Sequence, residues 1–294
     1  MEDDSLGARP KIYKAAEDKP MEEEPPAEVD GGVGLEMDEG NDVVYTVNVS
    51  ELPDEVLEYI FKLISPYADF QACYRVCRRW RDCCKRVVRS RLLNFHNQLN
   101  KAELEWTSVH TDESPGNIGK RYSHCSVYYP PSHSMFVFGG CTCSSSTFND
   151  LWQFDLSSRI WTRVVSMGTY PSPKALASMV EHGSSLILFG GWTHPSPYPL
   201  HQTWKLFSEL HIFNIKDNKW NQLCARAGEV WPPPSAGHSA TVHRNSMVVF
   251  GGLQKQREVG FFSSSNNIWV FSVLEQTWRM QPVLGKKYVM HNYS

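Results

Sequence analysis

The sequence has no run approaching the roughly twenty apolar residues that a membrane-spanning helix needs, so no membrane partner is expected. Charge of one sign is lacking too. With 29 Lys and Arg against 32 Asp and Glu, the net charge is −3, and nothing draws the whole chain toward nucleic acid. The 8 cysteines lack the spacing of a disulfide framework, and Cys83 and Cys84 are adjacent in a segment of helical pattern. Reduced thiols and a cytoplasmic or nuclear setting are therefore expected. Met1-Glu2-Asp3-Asp4 shows none of the basic-then-apolar profile of a secretory signal. Catalytic signatures are missing as well: there is no Gly-x-Ser-x-Gly elbow, no phosphate-binding Gly loop and no His pair at zinc-site spacing. Cys141 and Cys143, with Cys125 nearby, form a Cys-x-Cys without the paired geometry of structural zinc. The expectation is a chain with no metal, no cofactor and no catalytic residue.

What is present is a repeat. Phe138-Gly139-Gly140 returns as Phe189-Gly190-Gly191 and Phe250-Gly251-Gly252, each closing a short apolar run. Each copy is followed by a second marker, Leu151-Trp152-Gln153-Phe154, Leu210-His211-Ile212-Phe213 or Ile268-Trp269-Val270-Phe271. Seven residues beyond each marker's Phe stands Trp161, Trp220 or Trp278. A period of about fifty to sixty residues signals stacked units that cannot bury their faces alone. Four short strands per unit, joined by turns such as Asp155-Leu156-Ser157-Ser158, predict one twisted antiparallel blade per repeat. The Gly pairs suit tight turns or close backbone approach, and the Trp suits an apolar plate between blades. Gly139, Gly140, Trp161, Gly190, Gly191, Trp220, Gly251, Gly252 and Trp278 are thus read as scaffold. The second copy departs from the others, with Ala177 where the third has His238, and His211 in place of Trp152 and Trp269.

Upstream of the repeats, residues 1–48 are rich in Glu, Asp, Pro and Gly, as in Met21-Glu22-Glu23-Glu24-Pro25-Pro26, and are expected to be a disordered acidic tail. From residue 49 the pattern turns helical. Ser50-Glu51-Leu52-Pro53-Asp54-Glu55 is a helix start, Val56, Leu57, Ile60, Phe61 and Ile64 follow at helical spacing, and Ser65-Pro66 stops the helix. A second helix is expected from near Asp69, with Ala72, Cys73, Val76, Cys77 and Trp80 on one face. A third is expected from Asp82 to Leu99. Arg75, Arg78, Arg79, Arg81, Lys85, Arg86, Arg89 and Arg91 alternate with apolar residues, as the solvated or tail-neutralising face of amphipathic helices should, so nucleic acid is not expected as a partner. Residues 98–120 read as a linker.

Leu52-Pro53-Asp54-Glu55-Val56-Leu57 followed by Val76-Cys77-Arg78-Arg79-Trp80 resembles the F-box, over residues 49–97. The repeats of residues 121–282 resemble the kelch repeat, a β-propeller blade. The whole is therefore similar to the F-box/kelch-repeat family, and the loop Gly190-Gly191-Trp192-Thr193 with Pro195-Ser196-Pro197-Tyr198-Pro199-Leu200-His201 is similar to one subfamily of it. The fold this implies is a multidomain α plus β chain: a small three-helix F-box, then a partial propeller of antiparallel four-stranded blades.

The resemblance implies docking on the adaptor Skp1 through Leu52, Pro53, Val56, Leu57, Ile60, Ile64, Val76, Cys77 and Trp80, with some of these internal core. Through Skp1 it implies cullin-1 and a RING subunit, and a non-catalytic role as substrate-recognition subunit of a ubiquitin ligase. A kelch scaffold of the actin-binding or assembly type, its F-box-like helices packed internally, is the alternative. Copper oxidases built on kelch propellers require a complete propeller and export. A protein target is expected at the loop carrying Trp192, His194, Tyr198 and His201, although packing of that loop on a neighbouring blade remains open. After Trp278 no fourth Gly-Gly appears, and residues 283–294 diverge, so the expectation is a shortened form of a longer chain, less stable or prone to oligomerise.

Overall fold

Pro53 sets the first helix. In the computed structural model, which describes residues 48–67, 69–108, 117–142, 146–194, 205–255 and 262–282, Pro53 takes the N-cap position of α1 (Asp54–Leu63) with φ −56°. Its carbonyl accepts from the backbone N–H groups of Val56 and Leu57. Asp54 and Glu55 fill the first turn, where carboxylates are favoured by the helix dipole. Extended backbone at Ile64, two residues before Pro66, ends the helix. The acidic tail over residues 1–47 and the C-terminal residues 283–294 lie outside the described residues.

The next two helices correct the expected boundaries. The second, α2, is Asp69–Val76, and the third, α3, runs from Arg78 to Lys101, so Trp80 belongs to α3. The break falls at Cys77, whose backbone is extended (φ −157°) and whose sulfur accepts from the N–H of Trp80 at 3.4 Å. A residue that caps the following helix cannot also continue the preceding one. Leu57 and Phe61 of α1, Phe70 of α2 and Cys83, Cys84 and Val87 of α3 form the helical core, with Trp80 set against Phe61 at 5.1 Å between ring centroids. Burial pushes the Cys84 thiol up to about 11, which keeps it protonated and unreactive.

The repeats build antiparallel blades in which strand follows strand. The first blade is β1 (Cys125–Tyr129), β2 (Ser134–Phe138), β3 (Leu151–Asp155) and β4 (Ile160–Arg163), paired in that order. Its last turn is closed by Asp155, whose carboxylate accepts from the backbone N–H of Ser157 and Ser158. The chain then adds β5 (Met167–Gly168) in parallel to β11 (Lys219–Leu223), on the outer edge of the second blade. That blade continues through β10 (Leu210–Asn214) and β7 (Ser185–Phe189) to β6 (Ser178–His182), so it has five strands where four were expected. The addition is possible because Gly168 lacks a Cβ, which would sit 2.1 Å from the Trp220 carbonyl oxygen. The third blade is β13 (Ser239–His243), β14 (Ser246–Phe250), β17 (Ile268–Ser272) and β18 (Thr277–Gln281).

Two smaller sheets sit beyond the Gly-Gly ends. One pairs β8 (Trp192–Thr193) with β9 (Lys205–Leu206); the other is β12 (Ser235–Ala236), β15 (Leu253–Lys255) and β16 (Phe262–Ser264).

Alternation along each strand sends successive side chains to opposite blade faces, and the faces meet in two cores. Phe136, Phe138 and Leu151 of the first blade pack against Met179, Leu186, Leu188, Phe213 and Trp220 of the second. Val180, Ile187, Phe189 and Leu210 of the second pack against Met247, Val249, Trp269, Phe271 and Trp278 of the third. The repeated Trp is the plate in both: Trp220 lies 5.6 Å from Phe138 and Trp278 lies 5.0 Å from Phe189, each reaching into the preceding blade. Full burial of such side chains stabilises by about 1.5–3 kcal/mol each. His211, standing where the other copies have Trp, is enclosed in the first of these junctions with its ring 6.2 Å from that of Trp220.

Candidate functional site

The helical segment carries two apolar stripes on one helix. Leu57 and Phe61 of α1 face the core and are 1% exposed. Val56, Tyr59, Ile60 and Leu63, spaced i, i+3, i+4 and i+7, lie on the other side and are exposed, Leu63 to 69%. Of the residues expected at a docking face, Val56, Ile60, Pro53, Val76 and Cys77 are exposed, whereas Leu52, Ile64 and Trp80 are half-buried against the core. Leu57 is internal and has no part in an exposed face. Tyr59 and Leu63 extend the stripe and were missed, although their spacing from Val56 on the same helix was there to be read.

The arginines do structural work at this site. Arg79 donates to Asp54 Oδ1 at 2.7 Å and to the Leu52 carbonyl, and Arg86 donates to Asp54 Oδ2 at 2.8 Å and to Glu58. Arg91 donates to the Lys62 carbonyl at 2.6 Å. These bonds latch α3 to α1. They hold the Asp54 carboxyl below the usual carboxylate range, the Arg79 hydrogen bond contributing most. Three members of the basic face are thus committed to presenting α1.

In the propeller, the two glycines of each pair have different tasks. The second abuts its own blade's entering segment: a Cβ on Gly140 would lie 2.8 Å from the Tyr122 carbonyl oxygen. The first faces the next blade: a Cβ on Gly139 would lie 2.4 Å from the Lys174 oxygen, and one on Gly190 2.6 Å from both the Ser235 oxygen and the His238 ring. At Gly251 the nearest such atom is Ser265 O at 3.4 Å, within its own blade. Phe250 shows the same difference, being 49% exposed where Phe138 and Phe189 are 1% and 0%.

Beside Phe250 opens a cavity of about 910 Å³. Its wall comes from Leu176, Trp192 and Leu206 of the second blade and from Ala236, Phe250, Gly252, Leu253, Phe262 and Ser265 of the third. Apolar walls with a few backbone polar groups are the usual composition of a binding cavity. Of the loop residues expected to contact a target, Trp192 lines this cavity and His194 packs edge-on against it at 4.4 Å. Tyr198 and His201 lie outside the described residues. Among the described residues no three His, Cys, Asp or Glu side chains gather as metal ligands.

Three helices with a surplus apolar stripe, followed by Trp-plated antiparallel blades, define an F-box segment joined to a kelch-type propeller. Comparison with protein families agrees: residues 49–92 match the F-box-like model, and residues 121–290 match the model described as "FBX42, beta-propeller domain". The second match covers more than half of the chain, and the chain belongs to that family. Among curated proteins, the chain is similar to human Host cell factor 2, at 30% identity over 147 residues, 45% of this chain and 18% of the relative. It is also similar to the Leucine-zipper-like transcriptional regulator 1 homolog of Drosophila melanogaster, at 28% over 197 residues, 65% of this chain and 19% of the relative. A third relative is Tip elongation aberrant protein 1 of Schizosaccharomyces pombe, at 28% over 148 residues, 50% of this chain and 12% of the relative. The matched part spans less than a fifth of each of these relatives.

Proposed function

We propose that the chain is the substrate-recognition subunit of a Skp1–cullin–F-box ubiquitin ligase. Its helical segment docks on Skp1, and its propeller holds a target protein for ubiquitin transfer by the other subunits. The observation that carries this reading is the exposed stripe Val56, Tyr59, Ile60 and Leu63 on a helix whose opposite side already fills the core. Such a surplus is the signature of an interface half. The chain supplies proximity, which by itself lowers a bimolecular barrier, and leaves the chemistry to its partners. Cullin-1 and a RING subunit enter through Skp1, in the cytoplasm or nucleus.

Co-purification with Skp1 tests the reading. The wild-type chain is expected to retain Skp1, and Leu63→Glu with Ile60→Glu to lose it while keeping its helical circular dichroism. A folded wild-type chain that fails to retain Skp1 removes the ligase reading and leaves a kelch scaffold.

A further inference from the structure

Only the first part of α3 serves the helical core. Cys83, Cys84 and Val87 fill that core, whereas from Val88 to Lys101 no residue is buried, which leaves about 20 Å of helix with solvated side chains. Its far end is nevertheless closed. Ala102 turns left-handed (φ 55°), and the N–H groups of Ala102 and Glu103 donate to the carbonyls of Leu99 and Gln98 at 3.1 and 2.9 Å. A helical stretch of this length is marginal in water without a surface to pack on.

That stretch carries a seam. Val88, Leu92, Phe95 and Leu99 follow one another at steps of four, three and four, and each is between 50% and 55% exposed. Such spacing lines up the apolar side chains of a helix that pairs with another helix. At about 100° per residue, the seam lies roughly half a turn round α3 from Arg79 and Arg86, the residues that reach α1. Ser90 and Asn97 take the side away from the seam. Trp106, in the segment that leaves α3, is 97% exposed and does not cover it. Phe95 and Leu99 also fall in the interval between the two family matches, which stop at residue 92 and resume at residue 121, so the seam is no general feature of either family model.

The flanks decide what kind of partner fits. Arg89 and His96 border the seam on one side, Arg91 and Gln98 on the other, and α3 has no carboxylate after Asp82. A second copy would set these arginines against basic flanks of its own, with nothing to neutralise them. We infer that the seam docks an amphipathic helix of a partner protein, one whose own apolar seam is bordered by Glu or Asp. Arginine and carboxylate flanks then pair across the interface and fix its orientation. The inference does not rest on the ligase reading, because Skp1 retention is carried by α1 and the two can fail separately.

The probe is a fluorescein-labelled peptide of three heptads with Leu at both seam positions and Glu at the flanks, set beside a twin with Lys at the flanks. Both are titrated with the full chain by fluorescence anisotropy, with sedimentation velocity on the same samples. The acidic peptide should bind saturably and roughly tenfold or more tighter than its twin. Phe95→Glu and Leu99→Glu should each weaken it roughly tenfold while keeping helical circular dichroism. Leu274→Glu, on an exposed turn of the third blade, should leave binding unchanged. A folded, monomeric chain that binds neither peptide, or both alike, overturns the inference, whether the seam is bare or covered by the chain's own acidic residues. Self-association that Phe95→Glu abolishes overturns it in favour of a second copy. Loss of retained Skp1 on Phe95→Glu or Leu99→Glu overturns it in favour of Skp1 itself.

Discussion

The ammonium of Lys174 meets Glu209 Oε2 at 2.6 Å with the lysine side chain wholly enclosed and the Phe207 ring 4.5 Å beneath it. The same two places in the first blade hold Arg121 and Asp150, paired at 2.6 and 3.1 Å, and in the third blade Ser235 and Asn267. Burial alone would lower the affinity of Lys174 for its proton, and the glutamate works against that. Glu209→Gln, which leaves the enclosed ammonium facing a neutral amide, should therefore destabilise the propeller by about 3 kcal/mol. The double change Lys174→Ser with Glu209→Asn, copying the third blade, should cost less than the two single changes added together, by roughly 1–3 kcal/mol. Urea unfolding of the four proteins closes this cycle.

The first glycine of each pair should differ in tolerance according to what faces it. Gly139→Ala combines a positive φ with a Cβ driven onto the Lys174 carbonyl, and should cost roughly 3–5 kcal/mol. Gly251→Ala carries the backbone term alone, about 1–2 kcal/mol. Thermal unfolding of the two variants should separate them clearly, and equal losses would refute the close approach at Gly139.

His238 and His211 make the propeller sensitive to mild acid. Burial pushes each imidazole down to about 4, with Lys174 adding to the effect at His211 and Glu209 opposing it. The unfolded chain therefore binds more protons than the folded one between pH 6.5 and 4, so stability falls as pH drops through that window and levels off below it. The lowered carboxylates, Asp150 and Glu209, add their own loss at lower pH, near and beneath 4. His238→Ala, the residue the second blade has at this place as Ala177, should flatten the slope of Tm against pH by about half, even if it lowers Tm at pH 7.

The two stripes of α1 should separate by phenotype. Leu57→Ala empties part of the helical core and should cost about 2–5 kcal/mol, seen as lost helical ellipticity. Leu63→Ala changes an exposed position and should leave stability within about 0.5 kcal/mol. Any effect of Leu63→Ala on partner retention then reports the interface itself.

Blade number and strand register were legible because Phe-Gly-Gly, the second marker and Trp recur in phase, and close packing at each junction demands that they do. The F-box helices were legible for a different reason, the order of a few residues over a short span. The division of α1 into core and exposed stripes was not, since Val56 and Leu57 are equally apolar and only the placement of α3 chooses between them. The break at Cys77 turned on a weak sulfur cap that no pattern signals. The pairs Arg121–Asp150 and Lys174–Glu209 join residues roughly thirty positions apart, and the bonds that join the blades, Gly140 N–H to Lys174 O and Gly191 N–H to Ser235 O, use backbone atoms that every residue has. Side-chain patterns are blind to both.

The strand β5 has a consequence for the order in which the molecule comes apart. Met167 donates to the Asn218 carbonyl at 2.8 Å and Thr169 to the Trp220 carbonyl at 3.0 Å, so the chain leaving the first blade is itself the outer hem of the second. A single protease cut at Val165, which is 85% exposed, would sever the peptide but not the seam. The fragments should stay associated until the second blade melts, and the first two blades should behave as one stitched garment whose lining cannot be drawn out alone.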